Sequence, residues 1–138
     1  MDQSKNRQEQ PKSALILFAH GARDPRWAAP FQRLQQLTQA QLPDAEVALA
    51  FLELMTPQLP ALVPQLVQAG CTDIMIAPVF LGQGGHVLRD LPLLMAQLQA
   101  DYPAVRIRSC PAVGEDAQVL QAIAHYCVAA VGHDGSLQ

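Results

Sequence analysis

The sequence predicts an α/β fold: a four-stranded parallel sheet, doubly wound, with strand order 2-1-3-4. Three observations predict it. Four short apolar runs of strand length alternate with four longer segments of helical periodicity. The first run is a short apolar stretch and the third is apolar on both faces, as strands covered on both sides are. Parallel strands joined through helices need right-handed crossovers, which distribute the helices over both faces. The chain has 138 residues, a length that favours one compact domain.

Each element has its own signal. Residues 1–13 (MDQSKNRQEQPKS) hold nothing that anchors a core and read as a disordered lead-in. ALILFA, 14–19, is the first strand, stopped by His20-Gly21. Phe31, Leu34, Leu37 and Leu42 recur near helical spacing and predict a helix from Arg26 to Leu42, ended by Pro43. EVALAFL, 46–52, is the second strand. Thr56-Pro57 reads as a capped helix start, and Leu59, Leu62, Val63, Leu66 and Val67 mark its apolar face up to Gly70. Pro64 falls inside that helix, at a cost of about 3 kcal/mol for the lost hydrogen bond, and predicts a kink. DIMIAPVFL, 73–81, is the third strand. The next helix runs from Val87 to Tyr102 with Leu91, Leu94, Met95 and Leu98 inward, or starts at Asp90 as a cap ahead of Leu91-Pro92. Val105 to Ser109, with Arg106 and Arg108 alternating, is an edge strand. Asp116 to Val131 closes the domain as an amphipathic helix with Val119, Leu120, Ile123 and Cys127 facing in. The single domain is thus 14–131, followed by a polar tail, 132–138, with neither internal repeat nor low-complexity linker. The pattern is flavodoxin- or Rossmann-like, and ligands of such sheets sit beyond the carboxyl ends of the strands, beside strand one.

Composition narrows the partners. Hydrophobic residues make up 50% and charged residues 15%, a globular balance. A net charge of −3 argues against general binding of nucleic acid. The longest apolar run, Ile74 to Leu81, is too short to span a bilayer. Residues 1–13 lack the apolar stretch of a signal peptide. Cys71, Cys110 and Cys127 are widely spaced and form no CxxC pair, so they read as buried reduced thiols. The expectation is a soluble, cytoplasmic protein bound to no membrane.

Polar residues fall where such a fold places ligands. His20 ends strand one, Glu53 ends strand two, and His86 follows strand three. With strand one between strands two and three, all three overhang one edge. Two imidazoles and a carboxylate suit a borderline divalent cation such as Co2+, Fe2+, Ni2+ or Zn2+, and they also supply bases for proton removal. A His86 at a helix start is biased toward the neutral, metal-binding form. Arg23, Arg26 and Arg89 lie nearby in sequence and could grip carboxylates in bidentate fashion. Gly84 and Gly85 permit close approach of a bulky ligand. Taken singly, each histidine reads equally well as an exposed turn residue and Glu53 as a surface residue. Arg23 and Arg89 read equally well as solvated pairs with Asp24 and Asp90. His125 and His133 lie away from the edge. The convergence of three strand ends carries the functional reading.

HGARDP (20–25), FLELMTP (51–57), APVFLGQGGHVLRDLP (77–92) and CPAVGED (110–116) together resemble the CbiX/SirB family of sirohydrochlorin chelatases, which are class II chelatases. The similarity runs from about Leu15 to Cys127. The short chain is similar to the small single-domain form, a class II chelatase-like half. The resemblance implies ATP-independent insertion of Co2+ or Fe2+ into sirohydrochlorin, an anionic tetrapyrrole, on the way to cobalamin or sirohaem, and a homodimer that mimics the two halves of longer members. It assigns metal binding and catalysis to His20, His86 and the acidic Glu53, and implies no cofactor beyond the substrate metal, with Ni2+ also compatible. Ala22 stands where the family often has Ser, Met55-Thr56 departs mildly from its pattern, and the histidine-rich tail of some members is absent. Two other readings use the same residues: a non-catalytic tetrapyrrole or metal carrier, and a phosphate-handling enzyme with a histidine after strand one. Ala19 stands where the latter usually wants an arginine.

Overall fold

A computed structural model describes residues 11–82 and 84–132, apart from the side chains at 86 and 88. Strand β1 (Lys12–Ala19) leads through a 3-10 turn (Pro25–Ala28) into helix α1 (Ala29–Gln41). Strand β2 (Glu46–Phe51), helix α2 (Leu59–Gln68), strand β3 (Cys71–Pro78) and helix α3 (Gly85–Asp101) follow. Strand β4 (Arg106–Ser109), a second 3-10 turn (Val113–Glu115) and helix α4 (Ala117–Val131) complete the chain. The sheet is parallel with order β2-β1-β3-β4, the order expected.

Two layers of side chains explain why. Ala14, Ile16 and Phe18 of β1 and Ile74 and Ile76 of β3 point to one face, where Leu59, Leu62, Val63 and Leu66 of α2 and Val87 and Leu98 of α3 bury them. The opposite face is thinner. There Ala19 and Phe51 meet Ala28, with Trp27, Phe31, Leu49, Met55 and Val79 against them. Right-handed crossovers in this strand order put α1 on that face and α2 and α3 on the other.

Both edge strands are fastened by a glutamine from the preceding helix. Gln39 of α1 donates to the Leu42 and Ala45 carbonyls at 2.9 and 2.8 Å and accepts from the Val47 N–H at 3.0 Å. Gln99 of α3 donates to the Tyr102 and Val105 carbonyls at 3.2 and 2.7 Å and accepts from the Ile107 N–H at 3.0 Å. The segments carrying them, QAQLPDAEV (39–47) and QADYPAVRI (99–107), share glutamine, alanine, proline and the final β-branched residue at matching places. This is a short internal repeat that the sequence reading did not find.

Several boundaries differ from expectation. Strand β1 includes Lys12 and Ser13; the rest of the expected lead-in, 1–10, and the tail from 133 onward lie outside the described residues. Helix α2 begins at Leu59 behind Gln58, not at Thr56-Pro57, so Pro60 occupies its first turn, where a missing N–H loses nothing. Pro64 does lie inside α2. Helix α3 begins at Gly85 and runs through Pro92, so Asp90 is not its cap. Leu34, Leu37 and Leu42 are exposed. The larger correction concerns α4. Leu120 and Ile123 are exposed, Val119 is only half-buried, and no residue of α4 is buried. Its main contact is the 3-10 turn just before it. Cys71 is buried and Cys110 half-buried, but Cys127 on α4 is exposed, contrary to the expectation for all three thiols.

Candidate functional site at the carboxyl edge of the sheet

The loops beyond the strands continue the sheet's order. The Leu52 N–H donates to the Ala19 carbonyl at 2.8 Å, and the Glu53 N–H to the His20 carbonyl at 3.1 Å. On the other side the Val79 N–H donates to the Phe18 carbonyl at 2.8 Å. The Cys110 N–H reaches the Ile76 carbonyl at 3.1 Å, and the Gly114 N–H the Phe80 carbonyl at 2.9 Å. Backbone hydrogen bonds therefore tie Glu53 to His20 and the turn around Gly114 to Phe80 along one rim.

Two glycines allow this closeness. Gly21 has φ +93°, and a Cβ there would collide with the Glu53 carbonyl oxygen. A Cβ on Gly114 would collide with the Leu81 carbonyl. Leu54, beside Glu53, holds φ 68°, a left-handed conformation that costs a leucine on the order of 1 kcal/mol or more. Strain of this kind gathers where a loop is shaped for a task.

The structure brings His20 and Glu53 together through their backbones, with His20 half-buried and Glu53 exposed. The His20 ring lies against Phe80, centroids 4.2 Å apart and planes tilted by 34°. His86 occupies the first turn of α3, which follows β3 beside β1; its side chain lies outside the described residues. Among the described residues no three histidine, cysteine or acidic side chains form a metal cluster. Gly84 is the N-cap of α3 and Gly85 its first residue, so their place at a helix start is as expected.

Arg23 and Arg89 are exposed and make no ion pair among the described residues, so the alternative reading of them as solvated pairs with Asp24 and Asp90 is not what forms. Arg26 is engaged instead. Its guanidinium meets the Asp24 carboxylate at 2.7 Å, and its backbone N–H donates to the same carboxylate at 2.9 Å. The guanidinium first, and that N–H second, hold the Asp24 carboxyl below its usual range. Burial pushes the Cys71 thiol up, but Cys71 begins β3 at the far end of the sheet.

Among the apolar residues along this rim, Leu54 and Leu81 are 57% and 64% exposed and Met55 is half-buried, whereas Phe80 and Val87 are buried. Phe80 is thus a wall beneath His20; its depth is not legible in the sequence, because an apolar residue after a strand carries no sign of burial. Val87 instead lines a cavity of about 430 Å3 with Pro78, Leu91, Pro92, Met95, Ser109 and Cys110, which does not include His20.

The chain is similar to known proteins over most of its length. The CbiX family model matches residues 14–128. The sirohydrochlorin cobaltochelatase of Methanothermobacter thermautotrophicus is 30% identical over 95 residues, covering 69% of this chain and 64% of its own length. The sirohydrochlorin ferrochelatase of Bacillus subtilis is 26% identical over 114 residues, covering 83% of this chain and 44% of its own length. The chain therefore spans about half to two-thirds of these curated relatives. Among solved structures, a CbiX protein of Marinobacter aquaeolei VT8 superposes with a TM-score of 0.77 at 28% identity, covering 87% of this chain and 98% of that one.

Proposed function

We propose that this chain, which belongs to the CbiX family, inserts Co2+ or Fe2+ into sirohydrochlorin without ATP. The observation that carries the reading is the joining of His20 and Glu53 along the rim where β1 and β2 end, with the first turn of α3 bearing His86 after the neighbouring strand. In this reading the metal is a substrate. His20 and His86 hold it on one face of the ring. Glu53, exposed and with no ion pair among the described residues, accepts the two pyrrole protons one at a time, releasing the first to solvent before the second leaves the ring.

The macrocycle brings peripheral carboxylates. Arg23 and Arg89 have guanidinium groups available to bind them, and the N–H groups at the start of α3, around Gly84 and Gly85, favour an anion. Arg26 contributes only by exchanging Asp24 for a substrate carboxylate, a small cost because the pair is exposed. Leu54 and Leu81 offer apolar contact to the ring face. The relatives' names divide between cobalt and iron, and both metals suit the same donors.

The assembly in this reading is a homodimer. Helix α4 presents Leu120, Ile123, Tyr126, Val128 and Val131 to solvent. On the α1 face, Met75 and Ala77 of β3 are half-buried. A helix with that much exposed apolar surface is stable when something covers it, and a second copy supplies the cover.

The test is absorption spectroscopy of purified protein with sirohydrochlorin and each of Co2+, Fe2+ and Ni2+. The expected result is insertion faster than with free metal. Glu53→Gln should lower kcat about a hundredfold, the worth of a positioned base, and His20→Ala and His86→Ala should bring the rate near background. Binding of the macrocycle with no gain in rate would identify a carrier instead.

A further inference from the structure

A histidine that binds metal ordinarily has its other ring nitrogen fixed by a carboxylate, a carbonyl or water, which sets the tautomer and raises ligand basicity. His20 lacks such a partner among the described residues; no side-chain hydrogen bond is made to either nitrogen. What fixes the ring is an aromatic face. Phe80 lies 4.2 Å away, centroid to centroid, and is itself 3% exposed.

Phe80 is in turn immobilised from two sides. Its ring contacts that of Phe18, 1% exposed, at 5.7 Å and 56°. Its carbonyl accepts from the Gly114 N–H at 2.9 Å, and the residue after it is crowded by Gly114 so closely that no Cβ fits. The rim turn at 113–115 thus clamps the segment that carries the wall.

We propose that Phe80 is the positioning residue of His20, holding the plane of the imidazole by stacking where no carboxylate or carbonyl of the described residues does so. This rests on the reading that His20 holds the metal. Stacking restrains the ring plane but adds no negative charge behind the ligand, so His20 is a weaker donor than one backed by a carboxylate. Weak, well-aimed donation suits a metal that must be released into a macrocycle.

The test compares wild type, Phe80→Leu, Phe80→Tyr and His20→Ala. In the metal-free protein, NMR reads the His20 ring protons, whose ring-current shift reports stacking independently of any activity. Steady-state kinetics read the KM for Co2+ separately from that for sirohydrochlorin. The expected result is shifted His20 protons in wild type and Phe80→Tyr and none in Phe80→Leu. With that loss, the Co2+ KM should rise about tenfold, the scale on which partners behind a metal ligand act, while the macrocycle KM holds. Unshifted protons in wild type, or an unchanged Co2+ KM in folded Phe80→Leu, would overturn the inference. If His20→Ala leaves metal use intact, the underlying metal reading fails and the inference falls with it. If His20→Ala abolishes metal use and Phe80→Leu does not, the positioning role alone fails. Should Phe80→Leu not fold, the wild-type proton shifts decide.

Discussion

Gly21 shows how one residue can couple stability to the site. Its φ of +93° is strained for any side chain, and a Cβ would meet the Glu53 carbonyl. Gly70 has nearly the same φ, +99°, but a Cβ there touches only the flexible Lys12 side chain, at 3.6 Å. The two positions separate conformational strain from collision. Gly70→Ala should cost about 1 kcal/mol, the price of the left-handed conformation alone. Gly21→Ala should cost more, on the order of 2–4 kcal/mol, and should also depress metal insertion by displacing Glu53 from His20. Thermal denaturation together with the insertion assay checks both. Equal losses of stability in the two variants would show that the Glu53 contact contributes nothing. At this scale the positions of His20 and Glu53 were legible in the sequence, because each directly follows an apolar strand run. The depth of Phe80 was not, because burial there depends on Phe18 and on a turn more than thirty residues further along.

Among the elements, the two edge strands follow one rule. An edge strand exposes backbone N–H and C=O groups that invite pairing with another chain. Gln39 and Gln99 occupy those groups from helices α1 and α3, each accepting from the strand residue eight positions on. Each amide makes three hydrogen bonds, all part-buried except that from Gln39 to the Leu42 carbonyl, and its removal leaves part-buried backbone groups unpaired. Gln39→Ala and Gln99→Ala should therefore each destabilise the fold by about 1–3 kcal/mol. Both should raise the tendency to aggregate at high protein concentration, read by urea denaturation and light scattering. A surface glutamine with no such role would change stability by less than about 0.5 kcal/mol. The repeat escaped the sequence reading because it is a local device of nine residues with its matching positions scattered, and glutamine at a helix end carries no propensity signal. Strand existence and order were legible, since apolar runs and crossover handedness leave few alternatives.

For the whole molecule, the two faces of the sheet differ in how the described residues cover them. Helices α2 and α3 cover one face with a continuous apolar core, while the other has α1 and a smaller cluster around Trp27 and Phe51. The sequence reading placed α4 against the sheet because its apolar residues recur at helical spacing. Periodicity reports that a face wants cover; it does not report which chain supplies it. Tyr126, Val128 and Val131 are each more than 70% exposed, so the described residues of this chain leave that face uncovered. If a second copy covers it, stability must depend on protein concentration, because association adds to folding by mass action. The melting temperature should rise by several degrees over a hundredfold increase in concentration, and sedimentation should give twice the 15.0 kDa mass. A Leu120→Asp, Val128→Asp double variant should sediment as a monomer and lose the concentration dependence, while its sheet keeps the far-ultraviolet signature of the parent. Exposed Cys127 offers a second reading of the same event. Its reaction with a thiol reagent should be fast in the double variant and slowed in the parent at high concentration, whereas buried Cys71 should react in neither until the protein unfolds. A melting temperature indifferent to concentration, with a monomeric mass throughout, would mean that α4 is covered by something other than a second copy.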